Sequence, residues 1–441
     1  MKTYPKMKDS SIEWIGEIPE HWEKKKLSWS FNFGSGTTPD SNNEKFYDGK
    51  IPWVNTGDLN DDIVKKTEHH VTEIALKEYS PLKIFPKNTL IIAMYGATIG
   101  KLGILDMEAV TNQACCNLYD SKDIQSKFMF YWFLAYRKKI ISLAQGGGQP
   151  NINQGMIKKL KIFVPDLEEQ TKIEKFLDSE IIRINLEISK NQKLTDLLKE
   201  MKQSMINQVV TKGLDPSSPM KDSGIEMIGK IPEHWILQKI KHSSYVKGRI
   251  GWQGLKSDEF TDEGPFLITG TDFKNGEINW DTCNHVEQWR YDQDPYIQLK
   301  ENDVLVTKDG TIGKIALIHQ IPDKTTLNSG VMVVRPLYNI YIPEFLFWIL
   351  ESQQFTEFIN MIKTGTTINH LYQETFGNFQ FALPKTHEEQ IEIINFIRDK
   401  STKINFIMSK TESRIKKLQE FRQSLIASAV TGKIDVREAV A

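Results

Sequence analysis

Two stretches of this chain, 168–212 and 388–431, carry apolar residues at steps of three and four with no Pro or Gly to interrupt them. In the first, the series runs Ile173, Leu177, Ile181, Ile184, Ile188, Leu194, Leu198, Met201, Met205 and Val209. In the second, it runs Ile393, Ile397, Ile404, Met408, Ile415, Leu418 and Leu425. That period predicts two amphipathic helices with one apolar stripe each, the seam pattern of a coiled coil. At 1.5 Å per residue each would be about 70 Å long. Gly213 and Gly432 stand where helices usually stop. A stripe of that length needs covering. The pairing we expect is one helix on the other, through Ile173, Leu177, Ile184, Ile188, Leu194 and Leu198 on the first and Ile393, Ile397, Ile404, Met408, Ile415 and Leu418 on the second. Chain direction then makes the pair antiparallel. Homodimerisation through the same stripes is the competing arrangement.

Ahead of each long helix the pattern is different. Leu90–Met94, Val304–Val306, Lys161–Val164 and Phe379–Leu383 are short apolar runs bounded by Asn, Asp, Gly or Pro, as buried strands are. Phe128–Ile141 and Pro343–Ile362 are amphipathic and predict helices, with Pro343 at a first-turn position that tolerates proline. Gly-rich loops separate the pieces, so each head reads as mixed α/β.

The two halves repeat one another. DSSIEWIGEIPEHW at 9–22 recurs as DSGIEMIGKIPEHW at 222–235, eleven of 14 positions identical at an offset of 213. Thr98-Ile99-Gly100-Lys101 recurs as Thr311-Ile312-Gly313-Lys314, and Glu168-Glu169-Gln170 as Glu388-Glu389-Gln390. MKQSMINQVVTKGLD (201–215) matches FRQSLIASAVTGKID (421–435). Self-similarity on this scale means duplicated structural units. The expected fold is α+β: two mixed α/β domains (1–165 and 214–384) separated by two long antiparallel coiled-coil helices (166–213 and 385–441, the latter with a C-terminal tail), an internal duplication with pseudo-twofold character. The copies diverge most at 58–90 against 272–303. This divergence fits one kind of task done on two targets, and it also fits drift in surface loops.

Composition narrows the classes. The chain has 441 residues, 39% hydrophobic and 10% aromatic, so sizeable cores can form, and the aromatic content argues against disorder. Three cysteines without a C-x-x-C pair argue against a disulfide framework or a Cys-rich zinc site. No run is apolar enough for a signal peptide or a membrane span, which takes about 20 residues. We therefore expect a cytoplasmic protein without a membrane partner. Net charge is −1, so any polyanion site must be a local patch.

The IGEIPEHW opening (15–22) and its echo IGKIPEHW (228–235) resemble the head-opening motif of type I restriction–modification specificity subunits. So do Gly-Ser-Gly-Thr-Thr-Pro (34–39), Lys-Gly-Arg-Ile-Gly-Trp-Gln-Gly (247–254), the Ile-Gly-Lys loops, Gln-Pro-Asn-Ile (149–152) and Thr-Thr-Ile-Asn (366–369). The family's order, head, helix, head, helix, covers the whole chain. The resemblance implies two target recognition domains, each reading one half of a split, asymmetric site in double-stranded DNA. It implies that the helices space the halves and dock two methyltransferase subunits, which methylate adenine N6, and that a restriction and translocation subunit can join. S-adenosylmethionine would belong to the methyltransferases, ATP and magnesium to the restriction subunit, and no cofactor to this chain. A methylation-only complex and a tandem coiled-coil assembly protein that binds no DNA are the alternatives.

The residues themselves show no catalytic constellation. Gly96 to Lys101 has three residues between its glycines where a phosphate-binding P-loop has four, and Leu102 follows in place of Ser or Thr. Asp294-Pro295-Tyr296 lacks the paired prolines of adenine methyltransferases, and His69-His70 has no third ligand at metal spacing. For DNA, Thr98, Lys101, Thr311 and Lys314 supply the hydroxyl, ammonium and glycine-flanked backbone that phosphate contacts use. Hairpin turns that need glycine are the plainer reading of the same loops. Thr37, Thr38, Lys247, Thr366 and Thr367 join them on the motifs above, and Lys308 just ahead of the second Ile-Gly-Lys loop. Base edges are read by Arg on guanine and by Asn or Gln on adenine. The candidates are Gln149, Asn151, Asn153, Arg249, Gln253 and Asn369, each of which could instead cap its own loop. Trp252 could stack beside a displaced base or pack in the core. Lys24-Lys25-Lys26, Arg137-Lys138-Lys139 and Lys158-Lys159 are basic clusters of the first head, and basic runs are often solvated faces. The near-zero net charge predicts weak DNA binding by the isolated chain.

Overall fold

The computed structural model describes residues 2–143, 151–250, 255–365 and 370–439. The chain forms two compact units, Met1–Gln192 with Glu412–Ala441, and Lys193–Thr411. Each unit is one head together with part of each long helix.

The long helices span Leu167–Lys212 and His387–Val430. A glycine in the left-handed region follows each, Gly213 with φ 71° and Gly432 with φ 67°. Within the first unit, Asn185 meets Arg422 at 2.6 Å and Glu187 meets Arg414 at 3.3 Å. Partner numbers fall as helix numbers rise, so the segments run antiparallel. Ile173, Leu177, Ile184 and Ile188 share the first unit's core with Leu425, Ile426, Ala429 and Val430, while Ile415 and Leu418 are partly buried against it. In the second unit Ile206, Val209 and Val210 share a core with Ile393, Ile394 and Ile397. Leu198 and Ile404 are buried there and Met408 is half-buried.

Leu194 corrects the expected seam: it is 42% exposed, while Asn191 and Thr195 are 7% and 6% exposed. Strict four-three steps from Ile184 land on 188, 191, 195 and 198. Leu194 lies one residue off that stripe, about 100° around the helix, so two polar residues occupy the buried positions.

In the first head, the main sheet has five strands in the order Asn32–Gly34, Cys115–Tyr119, Leu90–Ala93, Leu102–Leu105 and Asp62–Val64. A second sheet joins Val110–Thr111, Tyr47–Val54 and His69–Val71. The second head repeats this plan with Ser244–Gly248, Val331–Pro336, Val304–Thr307 and Ile315–Leu317, beside Asn284–His285, Thr261–Ile268 and Thr325–Leu327. The fifth strand has no counterpart among the described residues. Its stretch of sequence instead folds into a hairpin, Phe273–Lys274 with Glu277–Ile278. This is where the two copies diverge most in sequence.

Helix Ser126–Ser142 covers the first sheet. In the second head the expected single helix is two, Pro343–Leu350 and Gln353–Gly365. The cause is tertiary. Gln203 on the first long helix donates to the Glu351 carbonyl at 2.9 Å, and Asn207 accepts from the Gln353 N–H at 2.6 Å. The Ser352 hydroxyl donates to the Ile349 carbonyl at 2.6 Å. Freed backbone groups thus find partners, which makes the break tolerable.

The two motifs that repeat best bind each other. Glu169 accepts from Trp22 Nε1 at 3.0 Å and Tyr4 Oη at 2.6 Å, with His21 Nε2 at 2.8 Å. Glu389 accepts from Trp235 Nε1 at 2.8 Å, with His234 Nε2 at 2.9 Å. Gln170 and Gln390 then bind the backbone where each head meets its helix, at the Pro165 and Pro384 carbonyls. The recurrent Trp and Glu-Glu-Gln residues are therefore a joint between each head and its helix.

Candidate nucleic-acid interface

In the first head four loops converge beside the sheet. The turn after Leu90–Ala93 runs through Met94 to Lys101 and is closed by Gly100 N–H to the Ala93 carbonyl at 2.8 Å and Lys101 N–H to the Thr98 carbonyl at 2.9 Å. Gly100 has φ 76°, and a Cβ there would sit 3.0 Å from Ile141, so the hairpin requires glycine. Met94 joins the loops: its N–H donates to the Ala114 carbonyl and its carbonyl accepts from Ile152 N–H, both at 2.8 Å. The Gly-Ser-Gly-Thr-Thr-Pro loop closes the group. A Cβ on Gly36 would stand 1.6 Å from the Thr111 carbonyl oxygen, so this close approach is open only to glycine. Thr38 Oγ1 donates to Gln113 Oε1 at 2.7 Å, and Ser35 Oγ to the Gln113 carbonyl at 3.2 Å.

The cluster therefore brings together Thr37, Thr38, Thr98, Lys101, Asn151 and Asn153. Asn151 and Thr38 are exposed, and Thr37, Thr98 and Lys101 are half-buried. Asn153 caps helix Gln154–Lys159, its Oδ1 accepting from Met156 N–H at 2.9 Å. Gln113 is a member that no motif announces. It is exposed beside Thr38, with the amide chemistry that reads adenine. The available signal was Thr111-Asn112-Gln113 against Leu327-Asn328-Ser329, polar turns entering matched strands.

The second head builds the same joint around Lys308. Its N–H donates to the Gly330 carbonyl at 2.8 Å and its carbonyl accepts from Leu371 N–H at 2.9 Å. Thr307 braces the hairpin, donating to the Thr311 carbonyl at 2.6 Å and accepting from Lys314 N–H at 2.9 Å. Thr311 is exposed, and Lys314 Nζ reaches the Gly270 carbonyl at 3.4 Å. Burial holds the Lys308 ammonium below its ordinary range. Lys247 lies 6.0 Å from the Tyr296 ring, which is 67% exposed. His370 is in contact with Asp309, the residue after Lys308.

Arg249 is a correction. It is fully buried, its Nε donating to the Leu327 carbonyl at 2.8 Å and its Nη2 to Thr326 Oγ1 at 3.2 Å. A guanidinium held by core acceptors does not reach a base edge. Gln149, Trp252, Gln253, Thr366, Thr367 and Asn369 lie outside the described residues.

Among the described residues no group of His, Cys, Asp and Glu is arranged to hold a metal. Burial pushes the Cys116 thiol up to about 12, far from a nucleophilic thiolate. No described helix is long and apolar enough to cross a membrane.

Each head is an α/β unit on a long helix, with a matched set of polar loops beside its sheet. The family model of the type I restriction modification DNA specificity domain matches residues 19–196 and 253–417, and the chain belongs to that family. It is similar to the type I restriction enzyme MjaVIII specificity subunit of Methanocaldococcus jannaschii, 23% identical over 428 residues that cover 95% of this chain and 94% of the relative. Among solved structures, a chain from a study of complex assembly and conformational transition of the type I R-M system matches with TM-score 0.74 at 14% identity, over 95% of this chain and 99% of that one. The HsdS subunit from Thermoanaerobacter tengcongensis matches with TM-score 0.55 at 14% identity, over 95% and 98%. The protein is thus a type I specificity subunit, a non-catalytic component of its restriction–modification system.

Proposed function

We propose that each head reads one half of a bipartite, asymmetric site in double-stranded DNA, and that the long helices set the gap between the halves. The observation that carries this reading is the repeated loop joint, Met94 in one head and Lys308 in the other, in a chain whose two family matches each include one of these joints. Thr98, Lys101, Thr311 and Lys314 hold phosphates in it. Thr37, Thr38, Lys247, Asn151 and Gln113 flank them, and Asn153 holds its loop in shape.

In this reading two methyltransferase subunits dock on the chain and bring S-adenosylmethionine to an adenine in each half-site. A cleft of about 1290 Å³ in the first unit suits such a dock, lying between helix Ser126–Ser142 and the long helices and lined by Asp61, Arg137, Asp178, Ile182 and Arg422. Ile182 is 69% exposed there and Leu186 farther along the same helix is 54% exposed, which favours a protein partner over water. A restriction subunit with ATP and magnesium completes a cleaving complex, and the site of action is the cytoplasm.

The test is reconstitution. The chain with its methyltransferase subunits should transfer methyl groups to adenine in a defined two-part sequence. The purified chain alone should transfer none and bind duplex weakly, since its net charge of −1 leaves much phosphate neutralisation to partners. Methyl transfer by the chain alone, or a salt-resistant nanomolar complex with it alone, would overturn the reading.

A further inference from the structure

We propose that the two halves of the target are held unequally, the first head carrying a lysine face for the DNA backbone that the second head lacks. The inference rests on the DNA-reading function proposed above. Its basis is a juxtaposition invisible in the linear sequence, where Lys24-Lys25-Lys26 and Lys158-Lys159 stand far apart.

Strand Glu23–Lys26 pairs antiparallel with Lys161–Val164, placing Lys26 directly opposite Lys161. The next residue, Leu27, donates its N–H to the Leu160 carbonyl at 3.1 Å, which seats the end of helix Gln154–Lys159 on the same corner. Lys24, Lys26, Lys158, Lys159 and Lys161 therefore gather there. Among the described residues none of the five has a carboxylate within ion-pair range, whereas Lys25 between them pairs with Glu23 at 2.9 Å and Asp123 at 3.4 Å. Like charges set directly opposite across a strand pair repel. The arrangement is relieved when an extended anion lies over it.

Aromatic rings accompany the charge. Lys26 Nζ stands 5.7 Å from the Trp29 ring, itself 79% exposed, and Lys158 Nζ stands 5.5 Å from the Phe33 ring. Phe33 leads directly into the Gly-Ser-Gly-Thr-Thr-Pro loop, so the face is continuous with the loop cluster. In the second head the matching strands are Ile236–Lys239 and Gln380–Leu383, with Lys239 opposite Gln380. Leu237, Gly377, Asn378 and Gln380 stand where the first head has Lys24, Lys158, Lys159 and Lys161; of the five only Lys239 is retained, joined by Lys241, whose Nζ donates to Asn378 Oδ1 at 3.1 Å. A polyanion with evenly spaced charge fits the first head's face.

The experiment uses the assembled complex with its methyltransferase subunits. Its binding to a fluorescent duplex carrying the methylated site, and to a scrambled duplex of equal length, is measured over a range of salt concentrations. Each phosphate contact contributes about 0.9 to the slope of log K against log salt. The K26Q/K159Q/K161Q variant should flatten that slope by up to about 2.7, weaken both duplexes by the same factor, and leave the methylated sequence unchanged. The reciprocal N378K/Q380K variant should steepen it by up to about 1.8. The melting temperature of K26Q/K159Q/K161Q should stay near the parent value, because Lys159 and Lys161 are exposed and Lys26 is half-buried without an acidic partner, while N378K/Q380K gives up the Asn378 bonds to Lys241 Nζ and the Glu374 carbonyl and should melt slightly lower. An unchanged slope in both variants, with the parent complex still binding and methylating, overturns the lysine face and leaves the proposed function standing. Weakened assembly with an unchanged slope also overturns it, and marks the patch as a protein contact. Failure of the parent complex to bind duplex at all defeats the underlying function instead.

Discussion

Glu169 holds three donors from the opening of the first head, Tyr4, His21 and Trp22. Its side chain is 6% exposed, against 26% for Glu389, which holds only His234 and Trp235. Leaving a buried donor without an acceptor costs about 1–3 kcal/mol. Glu169→Ala should therefore destabilise the chain by roughly 2–4 kcal/mol, and Glu389→Ala by less. Urea unfolding of the two variants checks the order, and equal losses would contradict it. Glu174 makes a pH-dependent prediction. Burial raises its carboxyl from the usual range to about 7, against a hydrogen bond from Phe128 N–H at 2.9 Å that favours the charged form. A folded pKa above the unfolded value means a contribution that is full below about 4.5 and lost as pH rises through about 7. The parent should lose more urea resistance between pH 5 and pH 8 than Glu174→Gln does. At this scale the sequence announced its repeated residues but not their partners. Trp22 and Glu169 lie 147 residues apart, and a pattern search sees two motifs where the fold makes one bond. Arg249 misled for the same reason: its acceptors at 326 and 327 lie far downstream of a glycine-flanked stretch that reads as a loop.

The long helices were legible because a three-to-four period sustained without Pro or Gly leaves one regular structure to adopt. Their seam was less so. Counting apolar residues selects Leu194, whereas geometric stepping selects Asn191 and Thr195, and geometry decides. Ile173→Ala empties a fully buried position and should cost about 2–5 kcal/mol. Leu194→Ala should cost under about 1 kcal/mol, since much of that side chain stays in water. Thermal melts of the pair separate the two, and a large loss at Leu194 would restore it to the seam. Pro343–Ile362 failed as one helix because Gln203 and Asn207 on another element stabilise the break, and no local propensity records a distant partner. The strands Leu90–Ala93 and Val304–Thr307 were readable as apolar runs. The strand Asp62–Val64 was not, since its Asp-Ile-Val is too short and too polar to declare itself.

For the whole molecule, duplication was the readable fact, and two of the motifs that carry the family resemblance, the head opening and the Ile-Gly-Lys loop, are among those that repeat. What the duplication hid was the inequality of the copies: a fifth strand in one head, a hairpin in the other, and, among the described residues, five lysines without acidic partners on one side only. If the helices space the half-sites, adding seven residues to each at matched positions lengthens the spacer by about 10 Å, or about three base pairs. The gap in the methylated motif should widen accordingly while the bases in each half stay the same. Altered bases with an unaltered gap would defeat the spacer account.

In the function proposed above, this chain chooses through its two heads where adenine is methylated. Long-read mapping of N6-methyladenine in cells expressing the methyltransferase subunits with and without this chain tests it most directly. The expected result is a two-part motif, interrupted by a fixed length of arbitrary sequence, with one methylated adenine on each strand, present only when the chain is present. A methylation pattern indifferent to the chain, or a single uninterrupted motif, would contradict it.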